Sequence, residues 1–160
     1  MTQHDEPTAP LPADAPVTLR EITKENVYAI LRLTVSEHQR NFVADNARSI
    51  AEAHFEPHAW FRAIYADETP IGFAMLYDDP EKPTYYLWRF MIDQRYQRRG
   101  FGWQALRLIV EHVKTRPNAQ VLLCSYVPGD GSPGNFYHKF GFVDTGEVDD
   151  GELVTGLALD

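Results

Sequence analysis

Residues 85–110 constrain this chain more than any other stretch. Tyr85-Tyr86-Leu87-Trp88-Arg89-Phe90-Met91-Ile92 is an apolar, aromatic run of strand composition. Asp93 to Tyr96 forms a polar elbow, Gln97-Arg98-Arg99-Gly100-Phe101-Gly102 follows, and a helical pattern then begins. In that helix Ala105, Leu106, Leu108, Ile109, Val110 and Val113 share an apolar stripe, with Arg107, Glu111, His112 and Lys114 mostly opposite. A strand that stops at a glycine-bearing loop and restarts as a helix leaves several backbone N–H groups without intrahelical partners, all pointing out of the helix start. Two glycines two residues apart carry no Cβ to hold a ligand away, and Gln97, Arg98 and Arg99 add donors and positive charge. The corner is an anion cradle that would fit a pyrophosphate.

Two other phosphate sites are excluded. A dinucleotide fingerprint G-x-G-x-x-G would need glycine at position 105, where Ala stands, and an acidic residue closing a second strand about 20 residues on. A P-loop would need a Gly-Lys-Ser/Thr ending, which is missing.

After a strand and before a helix, Gln97-Arg98-Arg99-Gly100-Phe101-Gly102 resembles the acyl-CoA-binding motif (Q/R-x-x-G-x-G/A) of the GNAT family of N-acetyltransferases. Downstream, Phe136-Tyr137-His138-Lys139-Phe140-Gly141-Phe142 resembles the tyrosine-bearing segment of the same family. The resemblance runs from about Val17 to the C-terminus and is strongest from Tyr85 to Phe142. It implies an α/β fold: a mixed, mostly antiparallel central sheet flanked by helices, with a βαβ acyl-CoA-binding core. It also implies acetyl-CoA as co-substrate, no metal, and a homodimer.

Residue by residue, the resemblance assigns the cofactor to Gln97, Arg98, Arg99, Gly100, Gly102 and Trp103, with the backbone of Phe90, Met91 and Ile92 hydrogen-bonding the pantetheine arm as an added strand would. Tyr137 becomes the acid that protonates the departing thiolate. The family commonly places an Asn about seven residues before that tyrosine. Here Asp130 holds that place and Asn135 precedes Tyr137 by two, so either is a candidate for the cofactor contact.

Length bounds the chain to one domain with a full core, and 44% apolar residues fit a soluble globular protein. A net charge of −8 disfavours nucleic acid and anionic membrane and suits a cationic substrate. Cys124 stands alone, within the apolar run Val121-Leu122-Leu123-Cys124, and reads as a buried hydrophobe with no call for an oxidising compartment. No signal-peptide pattern opens the chain and no apolar run reaches membrane-spanning length, so the expected location is the cytoplasm.

Along the chain, residues 1–16 are rich in Pro, Ala, Asp and Thr and read as a mobile leader, with a single domain from 17 to 160. Val17 to Ile22 reads as a strand, and Thr23 as the cap of a helix running to Leu33. Asn46 or Ser49 is expected to cap a helix that carries Glu52. Ala59 to Tyr65 precede a turn at Asp67-Glu68-Thr69-Pro70, and Ile71 to Tyr77 pairs with Tyr85 to Asp93 as an antiparallel hairpin. Val121 to Val127 runs parallel to the strand before the central helix. Pro128 to Gly134 is a loop, Asn135 to Phe140 a short helix ended by Gly141, and two closing strands turn at Asp149-Asp150-Gly151.

Gln39 to Ala53 resembles the first-helix region of the polyamine-acetylating branch of the family, typified by bacterial spermine and spermidine acetyltransferases. That implies a polyamine or diamine acceptor, with Glu37 and Glu52 meeting its ammonium groups. Other acceptors of the same chemistry are an amino acid, an antibiotic or a protein amine, and the alternative from outside enzymology is a CoA-binding sensor. Spacing singles out no general base; Glu37, Glu52 or His54 would serve through water. His54 and His58, four apart, lack a third metal ligand and read as a surface helix pair, with His138 on the exposed side of its helix.

Overall fold

The computed structural model describes residues 10–160, which build one seven-stranded sheet. β1 (Val17–Arg20), β2 (Ala59–Ala66), β3 (Thr69–Asp79) and β4 (Thr84–Ile92) form an antiparallel meander. β5 (Val121–Tyr126) lies parallel to β4, and the closing hairpin β6 (Val143–Asp149) and β7 (Glu152–Ala158) adds β7 beside β5. Among the described residues four α-helices accompany the sheet: α1 (Val27–Arg32), α2 (Asn46–Phe55), α3 (Phe101–Lys114) and α4 (Gly134–Phe140). The expected mixed sheet with a β4–α3–β5 crossover is thus the observed one.

Strand side chains alternate between two apolar layers. Ala74, Leu76 and Leu122 pack with Leu106, Ile109 and Val113 of α3 and with Tyr137 of α4. Phe73, Met75 and Met91 face the other way, onto Ile30, Leu33 and Ala53 of the α1–α2 region. Each such Leu, Ile, Val, Phe or Met side chain, fully buried, contributes about 1.5–3 kcal/mol, so α3 is held rigidly behind the strand it follows.

Local chemistry moves several element ends. α1 begins at Val27 because residues 23–26 form a turn, in which the Thr23 N–H donates to Asn26 Oδ1 at 2.7 Å. α2 is capped one residue earlier than expected: Asp45 accepts from the Arg48 N–H at 2.8 Å. Asn46 instead lies buried and donates to the Ile30 carbonyl at 2.9 Å. α2 ends at Phe55, so His54 and His58 do not share a helix. Part of the expected leader also joins the fold, since Ala15 is buried, Leu11 packs on the core and the Leu11 carbonyl accepts from Arg99. Residues 1–9 of that leader lie outside the described residues.

Two irregularities in β4 shape the molecule. The β3 register passes from Met75↔Arg89 to Leu76↔Leu87, which leaves Trp88 as a bulge. The parallel ladder to β5 holds only Tyr86↔Leu123 and Leu87↔Cys124. Beyond Leu87, β4 keeps its pairing to β3 but has none to β5, and the sheet parts there.

Candidate active site

The parting of β4 and β5 opens a cavity of about 1360 Å³. Its first wall is the far half of β4, residues Trp88 to Ile92, whose backbone on the β5 side has no ladder partner. Phe90, Met91 and Ile92 therefore stand where an extended ligand could add as a strand.

At the C-terminal end of β4 the chain turns through Gln94–Tyr96 into the glycine motif. Asp93, buried, holds this elbow: its carboxylate accepts from the Arg95 N–H at 3.0 Å and from the Thr34 N–H at 3.0 Å. Gln97 lines the cavity, with its amide donating to the Ile92 carbonyl at 2.8 Å and to Gln39 Oε1 at 2.9 Å, so it braces the cradle. Arg98 adopts φ 61° and reaches the cavity. Gly100 is the N-cap of α3 with φ 83°, in the left-handed region, and no atom lies within 4 Å of where its Cβ would stand. Gly102 and Trp103 also face the cavity. Arg99 turns the other way, bonding the Leu11 carbonyl and covering the Phe101 ring at 5.3 Å. Its guanidinium ties the N-terminal segment to α3.

α4 brings Tyr137 to the cavity from behind the sheet. Its neighbours are aromatic, Phe136 and Phe142 each at 5.5 Å between centroids. Burial, with a minor contribution from Cys124, pushes the phenol well above the ordinary tyrosine range. It is a neutral O–H donor across the physiological range. α4 is pinned from below by Tyr126: a Cβ on Gly134 would come within 2.7 Å of that ring. Tyr126 Oη and His138 Nε2 both meet Asp144, at 3.0 and 2.9 Å. That pairing holds the Asp144 carboxyl below its usual value, and it gives the partly exposed His138 a structural duty. Asn135 and Asp130, the two candidates for the cofactor contact, are both exposed and neither lines the cavity. Ser132 and Pro133, of the same loop, do.

Elsewhere the cavity is walled by charge. Arg89 is largely buried, which lowers its pKa, and it binds Glu52 at 3.1 Å; Arg48 binds the same carboxylate at 2.8 Å. Glu52 is therefore already held by two guanidiniums, while Glu37 is exposed and off the cavity. The carboxylates that do line it are Asp45, which caps α2, and Asp149, Asp150 and Glu152 of the closing hairpin. The sequence signal for that trio was the acidic turn Asp149-Asp150-Gly151, read only as a turn because nothing local shows that β7 comes to lie beside β5. Among the described residues no group of three His, Cys, Asp or Glu is placed to hold a metal, and no helix is long and apolar enough to cross a membrane.

Two parallel strands prised apart, a left-handed glycine at the start of the crossover helix and a buried tyrosine over the gap define an acyl-CoA-dependent transferase. The chain belongs to the acetyltransferase (GNAT) family, whose model matches residues 19–142. It is similar to a spermine/spermidine N(1)-acetyltransferase of Bacillus subtilis, 28% identical over 149 residues, covering 86% of this chain and 95% of the relative. Among solved structures it is similar in fold to the PaiA N-acetyltransferase of Thermoplasma acidophilum in complex with coenzyme A. That match has a TM-score of 0.68 at 15% identity and covers 89% of this chain and 99% of the other. The ribosomal-protein-S18-alanine N-acetyltransferase of Escherichia coli shares the fold at a TM-score of 0.67 and 14% identity, over 90% and 94% of the two chains.

Proposed function

We propose that this acetyltransferase moves the acetyl group of acetyl-CoA to a primary amine of a polyamine or diamine, with Tyr137 as general acid. The observation that carries the reading is the placement of Tyr137: a buried phenol with a raised pKa, on the cavity, beside the point where β4 and β5 part. In this reading Arg98, Gly100 and the N–H groups at the start of α3 hold the pyrophosphate, and Phe90, Met91 and Ile92 hold the pantetheine arm.

The acceptor arrives as an ammonium, with a pKa near ~10, and only its neutral form attacks. The freed amine adds to the thioester carbonyl, whose developing oxyanion is met by a backbone N–H at Met91 or Ile92. The intermediate collapses with cleavage of the C–S bond, the sulfur takes the Tyr137 proton, and the phenolate recovers one from the new amide nitrogen. A positioned general acid of this kind contributes about 10²–10⁴ in rate. Support for a polyamine comes from the Bacillus subtilis relative and from Asp149 and Asp150 on the cavity wall. Several spaced carboxylates suit several ammonium groups, each exposed contact being worth only ~0–1 kcal/mol.

The test is CoA release from acetyl-CoA against spermidine, spermine, putrescine, free amino acids, aminoglycosides and a lysine peptide. Turnover confined to the polyamines is expected. Tight CoA binding with no release on any amine would turn the reading towards a sensor. Tyr137→Phe is expected to lower turnover about 10²-fold or more with acetyl-CoA affinity kept, and an undiminished rate would remove the acid role.

A further inference from the structure

The reaction needs somewhere for the acceptor's proton to go, and the fold narrows the choice to one carboxylate. Glu37 is exposed and off the cavity; His54 is exposed on α2 and does not line it either. Glu52 is held by Arg48 and Arg89. Asp45 is engaged by the first turn of α2, and Asp149 and Asp150 are exposed at the tip of the closing hairpin. Glu152 remains. It is half-buried, lines the cavity and is the first residue of β7.

Its position follows from the ladder. Cys124 is the last β5 residue paired with β4, and Ser125 is the first beyond it. Ser125 Oγ donates to Glu152 Oε2 at 3.2 Å, which aims the carboxylate at the opening of the gap. Leu157 packs with the core on the α3 side. Glu152, five residues earlier on the same strand, stands on the opposite face of the sheet. Tyr137 comes to the gap from the α3–α4 side and Glu152 from the α1–α2 side, so a thioester in the gap has an acid on one face and a carboxylate on the other.

Around the Glu152 carboxylate, β4 presents Arg89 and the Tyr86 hydroxyl, β5 presents Ser125 with Cys124 beneath, α2 presents Glu52 and Arg48 behind Arg89, and the hairpin itself carries Asp149 and Asp150. The Glu152 charge is felt by Tyr86, Arg89 and Cys124, which border the end of the β4–β5 ladder.

Resting on the polyamine acetyltransferase reading, we propose that Glu152 is the general base: it takes one proton from the acceptor ammonium, directly or through one water, and passes it to solvent. The balance closes. Of the three ammonium protons one stays on the amide, one reaches the CoA sulfur by way of Tyr137, and one leaves through Glu152. Ser125 is a positioning residue that orients the carboxylate.

Glu152→Gln keeps the shape and removes the proton acceptor. For spermidine at pH 7, kcat/KM is expected to fall about 10²-fold or more, carried by kcat, with acetyl-CoA affinity by calorimetry unchanged as the check on folding. The variant's rate should climb about tenfold per pH unit towards the acceptor's own pKa near ~10, while the wild type stays flat over the same range. Ser125→Ala should give a smaller loss with the wild-type pH profile. A Glu152→Gln enzyme that raises only KM and keeps the wild-type profile would make Glu152 an ammonium anchor and overturn the proposal, as would an unchanged rate. A wild type silent on every amine would overturn this assignment together with the function it rests on, whereas an active wild type with an indifferent variant overturns this assignment alone.

Discussion

Replacing Gly100 by Ala isolates the backbone geometry of the cradle from its charge. Gly100 sits at φ 83°, where an L-residue is strained, and its absent Cβ would meet nothing within 4 Å, so no steric clash enters. The left-handed conformation costs an alanine about 1–2 kcal/mol, and stiffening of the unfolded chain returns about 0.4–1 kcal/mol of destabilisation to the unfolded state. For both states together, a net loss of about 1 kcal/mol in folding stability is expected. If the loop instead relaxes to negative φ, stability is kept but the N–H groups at the start of α3 turn away. Acetyl-CoA affinity then drops, by tenfold for each ~1.4 kcal/mol of lost contact. Gly100→Asn, which tolerates the left-handed region, should sit between wild type and Ala on both measures. Urea denaturation and calorimetric titration with CoA read the two quantities. An Ala variant equal to wild type in both, or an Asn variant worse than Ala, would refute the reasoning.

Other perturbations separate residues that look equivalent in the sequence. Arg98→Glu should weaken CoA binding with little loss of stability, and Arg99→Glu should lower stability through the lost tie to Leu11 and Phe101 while leaving CoA affinity nearer wild type; melting and titration of both variants test the pair. Glu52→Ala leaves the largely buried Arg89 short of its carboxylate and should cost about 1–3 kcal/mol by urea denaturation, with Arg89→Met in the same chain recovering part of it. Burial raises the pKa of Tyr137, Tyr86 and Tyr85, so the fold holds these phenol protons more tightly than the unfolded chain does. Their contribution is full below the unfolded value of ~10 and is lost as pH rises through the folded values. The urea midpoint should therefore decline above about pH 10, less steeply in Tyr137→Phe.

The parts of the molecule written in short-range chemistry were legible in the sequence. The strand, elbow, glycine motif and helix from Tyr85 to Val110 are contiguous, and period and turn residues define them without help from the rest of the chain. Gly141 ends α4 at φ 123°, and Asp149-Asp150-Gly151 turns the last hairpin, both as local propensity dictates. What could not be read locally was set by tertiary partners. The Thr23 hydroxyl accepts the Glu25 N–H at 3.3 Å as a cap would, but residues 24–26 form a turn and the helix starts only at Val27. Arg98 and Arg99 are identical in composition, and only the packing of Leu11 and Phe101 sends the second away from the cavity. Glu52 carries the right charge in the right helix, yet Arg89, 37 residues on, reaches its carboxylate first. Asp149, Asp150 and Glu152, which line the cavity, come instead from a hairpin whose position depends on β7 inserting between β5 and β6.

The two-pair ladder between β4 and β5 has a mechanical consequence. The sheet is a four-strand panel and a three-strand panel joined edge to edge by Tyr86↔Leu123 and Leu87↔Cys124, with α3 strapped behind the join. Such a seam is the compliant line of the molecule: the panels can flex about it without breaking a ladder within either. Amide protons of Trp88 to Ile92 that face the gap should exchange with solvent faster than those bonded to β3. A strand-like ligand laid into the gap would act as mortar, stiffening the body along its whole length and slowing exchange on both panels at once.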